Sequence, residues 1–386
     1  MIEEFLAGAA AGGLGILPFL HVNAILQVAT EWLPGGEGLW VFVAALSLSH
    51  LVFSVLPSLI LFLPGTDYVA SLLPLQRMAQ EGKAAVAIKA VAASTLAGLC
   101  IAAAALPLVA AALPLAKAAL GGGARYLLLG VVVLFFASIR GWKSRAQSVA
   151  VFALSGLLGW VSLSQPLLQE PLFPLLTGLF AVPAILLARG ESAKLVGNDA
   201  QEARFDLRLV LLGAAVGAVS SLLPGMSVSV LLCACLLAVK EDDAAFLSLA
   251  PALAASKTLY DLLSPVTVGK ARSMGAVLLQ DGGVGAAGAP IIAAAALAGA
   301  MLATAVLLLS YRKIAPAMAG LDMNRLRRAA LAVLLAAIAV QGGVAGVLLA
   351  FSAACVGALP ILLGLRRSLA TGALLVPALC YGFGAA

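Results

Sequence analysis

In a 386-residue chain that is 63% hydrophobic and 10% charged, few side chains can do chemistry, and they are not scattered. His21 and Asn23 follow Leu17-Pro18, with Gln27 one turn further on. Ser220 and Ser221 precede Leu223-Pro224-Gly225, and Ser227 and Ser229 follow it. A proline inside an apolar run removes a helical hydrogen bond, so both groups set small donors and acceptors beside freed backbone. A half-helix that starts after such a break aims its N–H groups and positive dipole end outward, which suits an anion. Pro18, His21 and Asn23 at one break, and Ser220, Pro224, Gly225, Ser227 and Ser229 at the other, are therefore the candidate substrate-binding residues. The structural alternative is that Pro and Gly kink two packed helices while Ser bonds back to the preceding turn.

Three further residues could couple movement to an ion. His50 is one of only two histidines, and it lies in mid-element between Ser49 and Ser54. Lys257 and Asp261 are four residues apart, a spacing that puts both on one helix face. There their pairing would offset an intramembrane cost of roughly 2.5–3.5 kcal/mol per charge. A titratable imidazole and a charged pair suit H⁺ or Na⁺ as coupling ion. The structural alternative is a hydrogen-bonded core histidine and a static ion pair. No cofactor or metal site is expected, and no zinc-protease, nucleotide-binding or nucleophile motif is present, so the chain does not read as an enzyme.

The elements that must hold these residues are membrane helices. The apolar residues come in long blocks rather than stripes, which excludes a soluble domain. The 23 basic residues lie in short breaks between the blocks, as topology signals rather than a nucleic-acid patch. Cutting at those breaks gives twelve elements, six on each side of a polar stretch from Arg189 to Arg208. The halves correspond in order: 17–23 with 223–229, 49–54 with 256–261, 75–76 with 279–280 and 177–184 with 371–378.

Charge decides how the first element of each half sits. If all twelve elements cross, the basic residues divide almost evenly between the two faces, against the positive-inside rule. If elements 1 and 7 instead enter and leave on one side, 17 basic residues collect on one face. These are Arg77, Lys83, Arg140, Lys143, Arg145, the linker's Arg189, Lys194, Arg204 and Arg208, then Lys240, Arg312, Lys313, Arg325, Arg327, Arg328, Arg366 and Arg367. Only Lys117, Arg125, Lys270 and Arg272 remain on the other, with Lys89 and Lys257 inside.

The expected fold is an all-α polytopic membrane protein with two inverted-topology repeats. Each repeat has one re-entrant Gly/Pro hairpin and about five transmembrane helices. The first repeat covers 1–189, a cytoplasmic linker 190–206 and the second repeat 207–386. The protein would be multi-pass in the cell membrane, with both termini outside and no cleaved leader. The five cysteines are expected to be small core residues without metal or disulfide spacing. The tryptophans fall near element ends, as interfacial anchors do.

Gly-x-x-x-Gly followed by Leu-Pro-x-Leu-His-x-Asn at 17–23, His50-x-x-x-Ser54-x-x-Pro57-Ser58, the stretch from Leu73-Pro74 to Glu81-Gly82, and Leu-Pro-Gly at 223–225 carry a resemblance. In these the chain resembles the archaeal branch of the large membrane permease subunit of tripartite tricarboxylate transporters. The resemblance implies uptake of carboxylates on an ion gradient, with a small membrane subunit and a binding protein as partners. Leu-Pro-Gly-Met-Ser at 223–227 is also similar to the polyprenyl-phosphate translocases, for which the ligand would be a lipid phosphate. Three functions follow: a permease for a small organic anion, a lipid-carrier translocase, and a non-transporting membrane scaffold. Membrane lipids surround the protein in all three, an oligomer is compatible with each, and nucleic acid is a partner in none.

Overall fold

The computed structural model describes residues 1–17, 20–29, 35–60, 75, 78–79, 81–164, 168, 171–187, 205–222, 228–235, 239, 245–320 and 322–384. Among these residues there are helices and turns and no strand. In chain order the helices are α1 (Ile2–Gly12), α2 (Val22–Ala29), α3 (Glu37–Phe53), α4 (Val55–Ile60), α5 (Ala84–Ala104), α6 (Leu106–Leu120), α7 (Ala124–Ala137), α8 (Trp142–Ser164), α9 (Leu172–Leu176), α10 (Val182–Leu187), α11 (Leu207–Ser220) and α12 (Val228–Cys235). Then come α13 (Ala250–Leu262), α14 (Ser264–Thr267), α15 (Met274–Asp281), α16 (Gly288–Ala319), α17 (Met323–Leu362) and α18 (Gly372–Gly382). Among the described residues, five helical runs are long and apolar enough to cross a bilayer, namely Glu37–Ile60, Ala84–Ala104, Trp142–Ser164, Gly288–Met318 and Asn324–Leu362, and the bent pair Leu106–Leu120 and Arg125–Ala137 makes a sixth if it is one span. Asn324–Leu362 has 39 residues, about 58 Å at 1.5 Å per residue, nearly twice a hydrocarbon core. It is not one straight helix, because Gly343 has φ 55° and ψ −150°, a conformation open to glycine. The break falls at the Gly342-Gly343 pair, one of the short breaks that divide the sequence into twelve apolar elements.

The chain divides into two compact units. The first contains Met1–Gly121, Glu191–Leu223 and Cys235–Gly320, the second Gly122–Gly190, Pro224–Ala234 and Leu321–Ala386. Both draw on each side of the central linker.

The first unit is built on close helix contacts through small residues, the packing that operates where lipid and side chain are equally apolar. A Cβ added at Gly8 would lie 2.5 Å from the Phe42 carbonyl, at Gly12 2.5 Å from Ser49 Cβ, and at Gly15 2.6 Å from the His50 carbonyl. Contacts that advance together along both helices make α1 and α3 parallel, so the chain through α2 must return between them. The same arrangement recurs about 205 residues later. A Cβ at Gly213 would meet the Leu249 carbonyl at 2.5 Å, and one at Gly217 the Lys257 amide at 2.7 Å. Hence α11 and α13 are parallel.

Each pair takes a third helix from the other side of the linker. A Cβ added at Gly98 of α5 would lie 2.5 Å from the Ala252 Cα of α13, and the Tyr260 hydroxyl donates to the Ala102 carbonyl at 2.8 Å. In reciprocal fashion, a Cβ added at Gly299 of α16 would lie 2.9 Å from the Ala45 Cα of α3, Ser49 Oγ donates to the Gly299 carbonyl at 3.0 Å, and Trp40 Nε1 donates to the Gly282 carbonyl at 3.2 Å. The result is two parallel triads, α1–α3–α16 and α11–α13–α5. The end of α13 (Leu262) and Val43 of α3 both lie against Gly275 of α15.

In the second unit glycines again set the contacts. Gly159 of α8 lies against the Ala373 carbonyl of α18, and Gly357 of α17 against the Leu179 carbonyl of the π-helical turn Thr177–Ala181. Gly178 in turn meets Ala350, and Gly372 meets Phe152. The cysteines depart from the expectation. Cys100 and Cys355 are exposed and Cys235 and Cys380 partly so; their helices turn larger apolar faces and alanines inward, which leaves the thiols on the outer surface of the fold.

Candidate functional site

At the first break, Pro18 lies outside the described residues. The chain resumes at Leu20, whose carbonyl is 2.9 Å from His50 Nε2. A carbonyl only accepts, so this nitrogen carries the proton and donates. His50 is buried, and the backbone on either side of it is fixed by Gly12, Gly15 and the Ser49–Gly299 bond. His21 Nδ1 accepts from the Asn23 backbone N–H at 3.1 Å, so the ring stands as a side-chain cap on α2. His21 and Asn23 are both half-buried, at the start of a helix that runs away from the break.

At the second break, Pro224, Gly225 and Ser227 lie outside the described residues. Ser229 is in α12, and Ser220 ends α11. Ser220 Oγ donates to the Gly217 carbonyl at 2.7 Å and Ser221 Oγ to the Ala218 carbonyl at 2.9 Å, both back-bonding to their own helix. Ser256 Oγ reaches across to the Ala214 carbonyl at 2.6 Å and ties α13 to α11. One turn on, Lys257 Nζ and Asp261 Oδ2 form an ion pair along the helix, with Asp261 buried.

One residue that sequence reasoning passed over belongs to this group. Arg272, in the turn between α14 and α15, donates through Nε to the Ser221 carbonyl at 2.9 Å and through Nη2 to the Leu222 carbonyl at 3.1 Å. These carbonyls follow the last residue of α11, where the intrahelical donors have run out. Burial lowers the Arg272 pKa, and the negative charge of Asp261 opposes that shift. Both breaks are thus approached by a side chain that holds a tip carbonyl, His50 at one and Arg272 at the other. The cue in the sequence was the clustering of Lys270 and Arg272 on the otherwise cation-poor face, read there only as topology.

Among the described residues no group of His, Cys, Asp or Glu is arranged to hold a metal ion. Chemically, the assembly offers freed backbone at two breaks, one buried imidazole, one buried ion pair and one half-buried guanidinium. The family model described as the tripartite tricarboxylate transporter TctA family matches residues 5–372.

The chain belongs to the TctA family. That match spans both breaks, His50, Lys257, Asp261 and Arg272, and it makes this a multi-pass membrane protein of a transporter family. No curated protein and no solved structure matches the chain.

Proposed function

We propose that this TctA-family protein is a secondary transporter of a small organic anion, a carboxylate, driven by H⁺ or Na⁺ and working by alternating access. The observation that carries the reading is the pair of corresponding parallel triads. In each, a Gly-rich first arm lies parallel to the helix that bears His50 or the Lys257–Asp261 pair, and the chain returns between them. This supports two re-entrant hairpins that dip from opposite faces, hence inverted repeats at 1–189 and 207–386 joined by a cytoplasmic linker, with both termini outside. The reciprocal exchange of α5 and α16, and of the glycine contacts in the second unit, supports the same repeat.

In this reading, backbone N–H groups around Pro18 and around Pro224-Gly225 bind the anion, together with Asn23, Ser227 and Ser229. His21, as the cap of α2, sets the direction of that helix, and Ser220 shapes the end of α11. Asp261 and Lys257 hold the coupling charge. With the carboxylate ionised the pair is neutral; a bound proton or Na⁺ at Asp261 leaves Lys257 as an extra cation that favours an anion nearby. His50 holds the first tip in place. A small membrane subunit and a binding protein are its working partners, as the family's tripartite character suggests.

The test is uptake of labelled citrate, succinate and acetate into proteoliposomes under imposed H⁺ and Na⁺ gradients, with and without added partner subunits. Gradient-dependent uptake of a polycarboxylate is expected. Absence of flux for the whole panel, with flipping of a polyprenyl phosphate in the same vesicles, would replace the carboxylate reading with the lipid one.

A further inference from the structure

The charge partition leaves four basic residues on the outer face, Lys117, Arg125, Lys270 and Arg272. Three of them converge on one turn of the first unit. Lys117, in the last turn of α6, donates through Nζ to the Val268 carbonyl. Gly269, at φ +68°, turns the chain there, so that the Lys270 N–H reaches back to the Ser264 carbonyl at 3.4 Å and the Lys270 side chain is exposed. Arg272 comes next, on the carbonyls of Ser221 and Leu222. Beneath them Leu113, Leu222 and Val268 form a small buried apolar cluster that fixes α6, the end of α11 and this turn against each other.

Asp281 ends α15, eight residues and about 12 Å from its start beside Arg272. The Gly282 that follows packs on Leu39 and Trp40, near Glu37. Asp261 already has Lys257 on its Oδ2 oxygen. Three cations therefore stand together at the rim of the second break, on the face that is otherwise poorest in positive charge, and the carboxylate whose charge reaches Arg272, Asp261, is shared with Lys257. A field of one sign at a cleft raises the local concentration of the opposite ion and speeds its arrival. Arg272 also holds only neutral carbonyl acceptors, and a carboxylate is about twice as strong a partner for a guanidinium.

We propose that Lys117, Lys270 and Arg272 form an outer capture site for a polycarboxylate, in which an arriving carboxylate draws Arg272 off the Ser221 and Leu222 carbonyls. The site rests on the anion-transport reading above. It favours anions with two or three carboxylates, because one group engages Arg272 while the others stay with the lysines.

Its test has two readouts on the full-length protein. In proteoliposomes, Lys270→Gln, which touches no backbone carbonyl and leaves the fold intact, should raise the KM for external citrate about threefold and flatten its dependence on salt. Arg272→Gln should raise it about tenfold or more, with Arg272→Lys recovering only part. Acetate uptake should change less than citrate uptake. Unaltered KM and salt dependence in both Lys117→Gln and Lys270→Gln would overturn the capture site while leaving the transport reading in place. The second readout does not need transport. Ala271→Cys keeps all three cations, and its labelling by a membrane-impermeant maleimide from outside, corrected for the native cysteines, should slow about fivefold or more with citrate at low salt. Labelling indifferent to citrate would overturn the capture site even where uptake is measured, and protection without uptake would support it while the transport reading failed.

Discussion

Asp261 and Lys257 are close enough along α13 to neutralise one another, and the consequence of breaking them apart depends on which partner is removed. Asp261→Asn leaves an ammonium without its carboxylate, a change that costs about 3–5 kcal/mol when the remaining charge stays buried. The variant should lose stability by that order and lose gradient-driven uptake. Replacing both, as Lys257→Gln with Asp261→Asn, should restore thermal stability in detergent close to the parent value without restoring coupling. Gradient-driven uptake that survives in the double variant would remove the pair from the coupling step. His50 separates two roles in a similar way. His50→Ala leaves the Leu20 carbonyl without its donor, a loss of about 1–3 kcal/mol. His50→Gln still offers an N–H and should melt near the parent, so any transport defect in it belongs to titration rather than to the bond. The four-residue spacing made the Lys257–Asp261 pair legible in the sequence. Arg272 was not legible, because its partners are backbone carbonyls some fifty residues away, and a carbonyl carries no signature of the residue that supplies it. The hydroxyls of Ser220 and Ser221 read as donors for a ligand, yet each has a carbonyl of its own helix within reach, and the local bond takes the proton.

At the scale of the element, glycine positions say which helix faces are in contact. Gly12 and Gly13 are adjacent in sequence and differ completely in surroundings. A Cβ at Gly12 would sit 2.9 Å from the His50 amide nitrogen, whereas one at Gly13 meets nothing within 4 Å. Gly12→Ala should therefore lower stability by about 1–3 kcal/mol through backbone displacement, and Gly13→Ala should be neutral or stabilising by up to about 1 kcal/mol. Thermal unfolding of the two variants side by side measures this. An equal effect of both would mean that α1 does not lie against α3 as described. Gly217 is the counterpart against Lys257 and Ser256, so Gly217→Ala should disturb coupling as well as stability. These faces were only partly legible. The Gly-rich first arms stand out in composition, but hydrophobicity alone reads α1 to α2 as one long crossing, and it was the count of Lys and Arg on each face that argued for a return. The break inside α17 was legible from Gly342-Gly343 because few residues tolerate a positive φ there.

For the whole molecule, the sequence correspondences near 205 residues and near 194 residues acquire a physical meaning from the crossed contacts. In the first unit Gly98 meets Ala252 while Gly299 meets Ala45; in the second Gly159 meets Ala373 while Gly357 meets Leu179. In the proposed repeat, each helix of one half is seated on the counterpart of the helix that seats its own counterpart, which is what a two-fold relation between the halves requires. Such exchange was not legible in the sequence, since a motif says what recurs and not which copy it packs on. It bears directly on topology. If the first arms merely crossed the bilayer, α1 and α3 would be antiparallel neighbours, as would α11 and α13, and both termini would lie on the linker's side. With a return in each half, every half makes an odd number of crossings, so the linker and the termini face opposite compartments. Single cysteines at Ile2, in the linker at Asn198 and at Ala386, probed in intact cells and in inverted vesicles against a background lacking the native cysteines, decide between the two. Labelling of Ile2→Cys and Ala386→Cys from outside and of Asn198→Cys from the cytoplasm is expected. Labelling of all three from one compartment would mean an even number of crossings in each half. The inverted repeat and the outer position of Lys117, Lys270 and Arg272 would then fall together.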